Sequence, residues 1–333
     1  MTNYIIITSS EIVWRILTNS QSQYKLKSIK DFGLLSPYQY FKAYKSNGLI
    51  KYIDEKYSGK CFIHTKGLIF KTGNNFEDKQ DIENLFEYLR LFFRHLRFES
   101  KQVNISIDGS ISSIVIQNKV PKGIPNIIPQ TSAKGLIRSD YYYSMITWET
   151  IKFVDKNIKA NYKIPVYEEM LLEAWKANIE AEYNKAILFS VISVESLLAH
   201  TFDQIYENEK LKHTKSKTLR MIKNNDGKYK DPIFITLNER SDFKKLLHEI
   251  PLYLIKSSLL LEKESVYSNL LKMYTTRNKI VHWGAPIENT PNKFIPVNLE
   301  GSKISISTAI EVFNWIGITR FNNLLTTKFI EMK

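Results

Sequence analysis

Arg277 and His282 lie in the segment MYTTRNKIVHWG, with four residues between them. An imidazole titrates near about pH 6.5, so it can take or give a proton at cellular pH. A guanidinium stays charged and holds a phosphate through paired hydrogen bonds. Together they suit activation of a ribose 2′-OH and stabilisation of the charge that builds on the phosphate. Such chemistry needs no metal and, because it uses the 2′-OH, spares DNA. On a helix the spacing turns through about 500°, or about 140° net, so the side chains do not stack on one face. They converge only if the helix ends or bends near His282, where Gly284 and Pro286 follow, or if two copies meet across a dimer axis. Arg90 and His95 share the spacing, but Phe92, Phe93 and Leu96 flank them, and that pair reads as the basic face of a structural helix.

The elements that must position the pair begin near residue 160. Pro165 and the glutamates of PVYEEMLLEAWKANIEAEYN mark a helix start. KAILFSVISVESLLAHTF (185–202) is apolar on nearly all sides, as in a buried helix. RSDFKKLLHEIPLYLIKSSLLL (240–261) has helical patterning that Pro251 should kink or split. The next helix covers 266–284 and carries Arg277 and His282. FIPVNLEGSKISIS (294–307) predicts a small hairpin, and 308–330 a long closing helix.

The first part of the chain is mixed. YIIIT (4–8) is a β-branched run; CFIHTKGLIFKTG (61–73) alternates around a glycine and predicts a hairpin. Residues 78–98 place Ile82, Leu85, Phe86, Leu89 and Phe93 at helical spacing. VNISIDGSISSIVIQNKV (103–120) predicts a second hairpin about Asp108-Gly109, and the Pro-rich segment 121–135 a linker. The expected fold is therefore α+β: a mixed α/β domain over 1–160, then an all-α bundle with a small β-hairpin over 161–333.

The Arg-Asn-x-x-x-His string at the end of an apolar helix resembles the signature of HEPN domains. The upstream helix resembles that family's second helix, with Glu195 at its acidic position. The resemblance covers residues 165–330 and is nearest to the Apea-like branch, in which a HEPN domain follows an unrelated N-terminal region. It implies a homodimeric, metal-independent endoribonuclease with a composite Arg/His cleft, leaving a 2′,3′-cyclic phosphate. It also implies a role as a toxin or effector in anti-phage defence. Carried over residue by residue, Arg277 and His282 become the catalytic pair and Asn278 orients the site. Glu195 holds Arg277 or His282. Some HEPN domains only dimerise or bind nucleotides, and that reading stays open beside the catalytic one.

The chain has 333 residues and a net charge of +13, which fits a polyanionic partner such as RNA. The stretch 210–230 holds eight Lys or Arg and one acid, Asp226. Lys210, Lys212, Lys215, Lys217 and Arg220 are its candidate RNA contacts; the plainer reading is a solvated loop. A lone cysteine, Cys61, excludes an internal disulfide and a Cys-rich zinc site. Asp108, Gln117 and Lys119 fit a magnesium-nuclease pattern only loosely, since Gln replaces one carboxylate. Tyr141, Tyr142 and Tyr143 read as a half-buried strand in preference to a base-stacking platform. No cofactor or metal is expected. No apolar run approaches the ~18 residues of a membrane span, so a soluble cytoplasmic protein is expected. An always-active ribonuclease would poison its own cell, so a regulatory protein or phage-derived trigger is expected at the N-terminal domain.

Overall fold

A computed structural model describes residues 2–17, 24–25, 32–37, 60–72, 79–103, 105, 111–117, 146–213, 222–223, 229–230, 243, 247–248, 251–252, 255–283 and 293–325. The chain forms two compact units that meet at Ile164 and Pro165.

In the first unit, α1 (Lys79–Ser100) and α2 (Trp148–Lys159) pack together. Leu89, Phe92, Phe93 and Leu96 of α1 are buried, as are Ile151, Val154 and Ile158 of α2. A capping box starts α2: Thr147 Oγ1 accepts from the Thr150 amide at 3.1 Å, and Thr150 Oγ1 accepts from the Thr147 amide at 3.2 Å. Asn157 Nδ2 donates to Glu99 Oε1 at 2.7 Å, which joins the two helices. The backbone of β1 (Thr2–Leu17) pairs antiparallel with β4 (Lys60–Thr72) and with β5 (Ile111–Gln117). With β2 (Tyr24–Lys25) and β3 (Phe32–Pro37) the backbone order is β2-β3-β4-β1-β5.

In the second unit, α3 (Val166–Ile179) packs along α4 (Tyr183–His213), and α6 (Glu264–Trp283) and α7 (Leu299–Trp315) close over α4. The one-turn helix α5 (Leu259–Glu262) leads into α6. Ala186, Ile187, Val191, Val194, Leu197 and Leu198 of α4 are fully buried and form the centre of the bundle. The Tyr183–Phe202 stretch of α4 is long and apolar enough to cross a membrane, and half of that window is buried inside the protein. Its all-round apolar character is what a central bundle helix requires. Ser302 Oγ donates to Asn178 Oδ1 at 2.6 Å, which ties the start of α7 to α3, and Arg320 Nη2, in the segment after α7, reaches the fully buried Glu168 of α3 at 2.6 Å.

The α+β expectation is corrected. Every regular element whose side chains are described is a helix. The hairpin expected over 294–307 is absent: Asn298 Oδ1 accepts from the Gly301 amide at 2.9 Å and starts α7. Of the segment expected as a hairpin over 61–73, residues 61–72 lie on one strand, β4, whose partners β1 and β3 are distant in sequence. β5 pairs with β1, and most of the other arm of the hairpin expected over 103–120 lies outside the described residues. The closing helix ends at Trp315, well before residue 330, because Gly317 takes φ +91°. The Gly317 amide donates to Asn314 O and the Ile318 amide to Phe313 O, a Schellman stop. Pro251 and Leu252 are helical, with the Leu252 amide donating to His248 O, and the residues on either side lie outside the described residues; Lys256 takes φ +57°.

Candidate active site at the C-terminal end of α6

The inward line of α6 runs through Leu270 and Met273, both fully buried. Arg277 is the next residue on that line, four after Met273, so helical periodicity points a guanidinium along the core side. A charge so placed needs a partner. Glu195 supplies it from α4, four residues after Val191 and next to Val194, both buried. Glu195 Oε2 accepts from Arg277 Nη2 at 3.1 Å, each side chain being 27% exposed. That exposure leaves the pair within reach of solvent. Arg277 Nη1 donates to Asn278 Oδ1 at 2.8 Å. The Arg277 Cζ lies 5.6 Å from the Tyr274 ring centroid, and Tyr274 stacks on Phe243 at 4.7 Å with 9° between planes. Arg277 Nε is buried and meets no acceptor among the described residues.

The three residues Arg277, Asn278 and Glu195 are therefore brought together, while His282 stands apart and exposed on the last turn of α6. α6 stays helical to Trp283, so the helix does not end or bend between the two in a way that would join them. From helix geometry their Cα atoms are roughly 9 Å apart and their directions differ by about 140°. Of the two routes to convergence, the one within a single chain is closed. Tyr274 and Phe243 escaped the sequence reading. Tyr274 carries a local signal, three positions before Arg277 and hence beside it on the helix; Phe243 comes from a distant segment and carries none.

Arg90 and His95 follow the opposite pattern. Arg90 is exposed and 3.6 Å from Glu87, and His95 is buried against Tyr162 in the first unit. Lys210 and Lys212 fall on the last turn of α4 and not in a loop; their side chains, like Lys215, Lys217 and Arg220, lie outside the described residues, as do Asp108, Lys119 and Tyr141–Tyr143. Among the described residues no three His, Cys, Asp or Glu side chains group so as to hold a metal ion.

Comparison with protein-family models, curated proteins and solved structures finds no match in any of the three.

Proposed function

We propose that the second unit is a HEPN-type endoribonuclease that cuts RNA through its own 2′-OH, without metal, in a dimeric site built from two Arg277/His282 pairs. One observation carries the reading: Arg277 is fixed by Glu195, Asn278 and Tyr274 while still partly exposed, and an exposed His282 follows on the same helix. A fixed, partly accessible guanidinium is preorganised to take a phosphate oxygen, and an exposed imidazole is free to exchange protons. In this reading His282 removes or returns the proton at the 2′-OH or the leaving 5′-oxygen. Arg277 steadies the charge on the phosphorane-like transition state, and a 2′,3′-cyclic phosphate results. The activity is latent, with the N-terminal unit receiving a regulatory protein or a phage-derived trigger, and the setting is cytoplasmic anti-phage defence.

A second reading has its own support. The Glu195–Arg277 pair also satisfies a charge next to a bundle core, and His282 points elsewhere, so the unit would serve as a non-catalytic dimerisation or nucleotide-binding module. Cleavage of total RNA in EDTA, with wild type and His282→Ala compared, separates the two. Loss of cleavage with an unchanged circular dichroism spectrum supports the nuclease. Equal cleavage by both proteins, or none by either under every tested trigger, removes it.

A further inference from the structure

In the first unit, the solvent side of α2 gathers cations. From Thr150 to Tyr167 the sequence has four lysines, Lys152, Lys156, Lys159 and Lys163, and one acid, Asp155. All four lysines are exposed, and Asp155 is buried. None of the four ammonium groups makes an ion pair or a hydrogen bond among the described residues. At about 100° and about 1.5 Å per residue, Lys152, Lys156 and Lys159 fall within about 60° of one another and form a row about 10 Å long. Phe153 is 48% exposed and lies about 60° around the helix from Lys156, so its ring borders the row. The ends and edges of this face are defined. Half-buried Trp148 and exposed Glu149 stand at its start, and Glu99, beyond Phe153, is engaged by Asn157 Nδ2. Ile151, Val154 and Ile158 are buried on the other side of α2, and the capping box at Thr147 fixes its start, so the row and the ring are presented on a firm support.

We propose that this face of α2 binds single-stranded RNA, with phosphates along the Lys152, Lys156 and Lys159 row and a base stacked on Phe153. Charge complementarity selects a polyanion, since the row carries three exposed cations and no acid between them on the surface. Phe153 selects a strand whose bases are free to stack. One exposed phenylalanine is ordinary by itself; beside free ammonium groups it supplies the flat apolar surface that completes a single-strand site. An anionic membrane fits less well, because the isoleucines and valine of α2 are buried and leave Phe153 as its one large exposed apolar side chain. Ammonium groups act as point charges on phosphate, and every base has a face to stack, so the site binds with little sequence preference. The choice of RNA over DNA rests on the ribonuclease reading; the place and chemistry of the site do not, and they give the first unit a ligand of its own.

The test uses the full chain and a mixed-sequence single-stranded oligoribonucleotide with every 2′-OH methylated, which cannot be cut by 2′-OH attack. Affinity is followed by fluorescence anisotropy across a potassium chloride series. Each phosphate contact on a single strand contributes roughly 0.7 to the slope of log K against log salt, so Lys152→Gln, Lys156→Gln and Lys159→Gln together should make the slope shallower by about 2.1. The loss of affinity from about 50 to about 200 mM salt then becomes roughly 18-fold smaller than in wild type. Phe153→Leu keeps an apolar group but no ring; it should weaken binding by about 5-fold or more at every salt concentration and leave the slope unchanged. Arginine at all three lysine positions should keep the wild-type slope, which guards against a folding defect in the glutamine variant. Lys185→Ala, which removes an exposed lysine paired with Glu182 on α4, should change neither affinity nor slope. The site is overturned by an unchanged slope in the triple glutamine variant, by full affinity in Phe153→Leu, by an equal effect of Lys185→Ala, or by no binding to wild type. Phosphatidylserine vesicles bound more tightly than the oligoribonucleotide, with the same lysine dependence, overturn RNA as the occupant, as does the same sequence as DNA bound about 10-fold more tightly. Cleavage of the unmodified strand by wild type and His282→Ala is scored separately. Absent cleavage with the expected slopes removes the nuclease alone, and intact cleavage with an unchanged slope removes the α2 site alone.

Discussion

Removing Glu195 and Arg277 singly and together measures how firmly the guanidinium is held. At the observed 3.1 Å, two unit charges attract by about 5 kcal/mol at an effective dielectric of 20 and by about 1 kcal/mol in bulk water. Each side chain is 27% exposed, so the pair lies between these limits, and part of the gain is offset by desolvation and by lost side-chain freedom. We expect a net coupling of about 1–2 kcal/mol, above the usual range for exposed pairs and below the cost of breaking a fully buried one. The assay is a double-mutant cycle with Glu195→Gln, Arg277→Met and the double variant, by urea denaturation of the full chain. Intrinsic fluorescence is a suitable signal, since Trp175, Trp283 and Trp315 belong to the second unit. Glutamine keeps an oxygen able to accept from Nη2 but removes the charge, so its loss should be smaller than that of Glu195→Ala. In RNA cleavage, Glu195→Gln should lower kcat more than it raises KM, because what is lost is orientation in the transition state. A coupling below about 0.3 kcal/mol would show independent residues and refute the view that Glu195 presets Arg277.

Three further outcomes follow from the backbone and from one exposed carboxylate. A Cβ on Gly301 would sit 1.7 Å from Pro296 O, so Gly301→Ala must displace backbone at the start of α7; a loss of about 2 kcal/mol or more is expected, seen as a lowered Tm. Ala181 ends α3 at φ +61°, with its amide and that of Glu182 donating to Asn178 O and Ala177 O, so Ala181→Gly should stabilise by about 1 kcal/mol, read by the same denaturation. The Glu262 carboxyl is held below its ordinary 4.5 by hydrogen bonds from Ser257 and then Trp315. A depressed folded-state pKa gives stability that is present above 4.5 and lost as pH falls through the folded value. An NMR titration should therefore show Glu262 titrating below a free glutamate, and Trp315→Phe should move it upward; no movement would separate the indole from the carboxylate.

Apolar residues at helical spacing made α1 legible, Pro165 and the first-turn glutamates marked the start of α3, and the all-round apolar character of α4 marked a central helix. α7 was misread for a physical reason. Its buried line includes Gly301, Ser302, Ser305, Thr308 and Ala309, small residues that allow close approach and leave Leu299, Ile304 and Ile306 as the large apolar residues of its first half. Those two isoleucines alternate with serines and so imitate a strand. Inside the helix the serines satisfy themselves locally, with Ser305 Oγ donating to Gly301 O at 2.8 Å and Ser307 Oγ to Ile304 O at 2.9 Å. The hairpin expected over 61–73 failed differently. A glycine within an alternating run suggests a turn, but Gly67 sits inside β4 opposite Ile7 of β1, a pairing that local pattern cannot disclose. At the site, Arg277, Asn278 and His282 were legible as a motif. Their spread could not be read from it, since whether a helix continues past a motif depends on packing beyond it.

That spread has a consequence for the proposed chemistry. A regular helix to Trp283 leaves one chain offering a held cation on one side and a proton-transfer group about 140° away, too far apart in direction to share a phosphodiester. On the proposed reading two copies related by a two-fold axis near the end of α6 would bring each Arg277 to the partner's His282, since an isologous contact repeats such a pairing reciprocally. Val281 is 56% exposed and lies between Arg277 and Asn278 around the helix, an apolar surface that such a contact would cover. The same geometry would make the proposed nuclease latent as a lone chain. On that reading a lone chain, with Arg277 paired to Glu195 and His282 facing solvent, would hold an incomplete site that a second α6 end would complete.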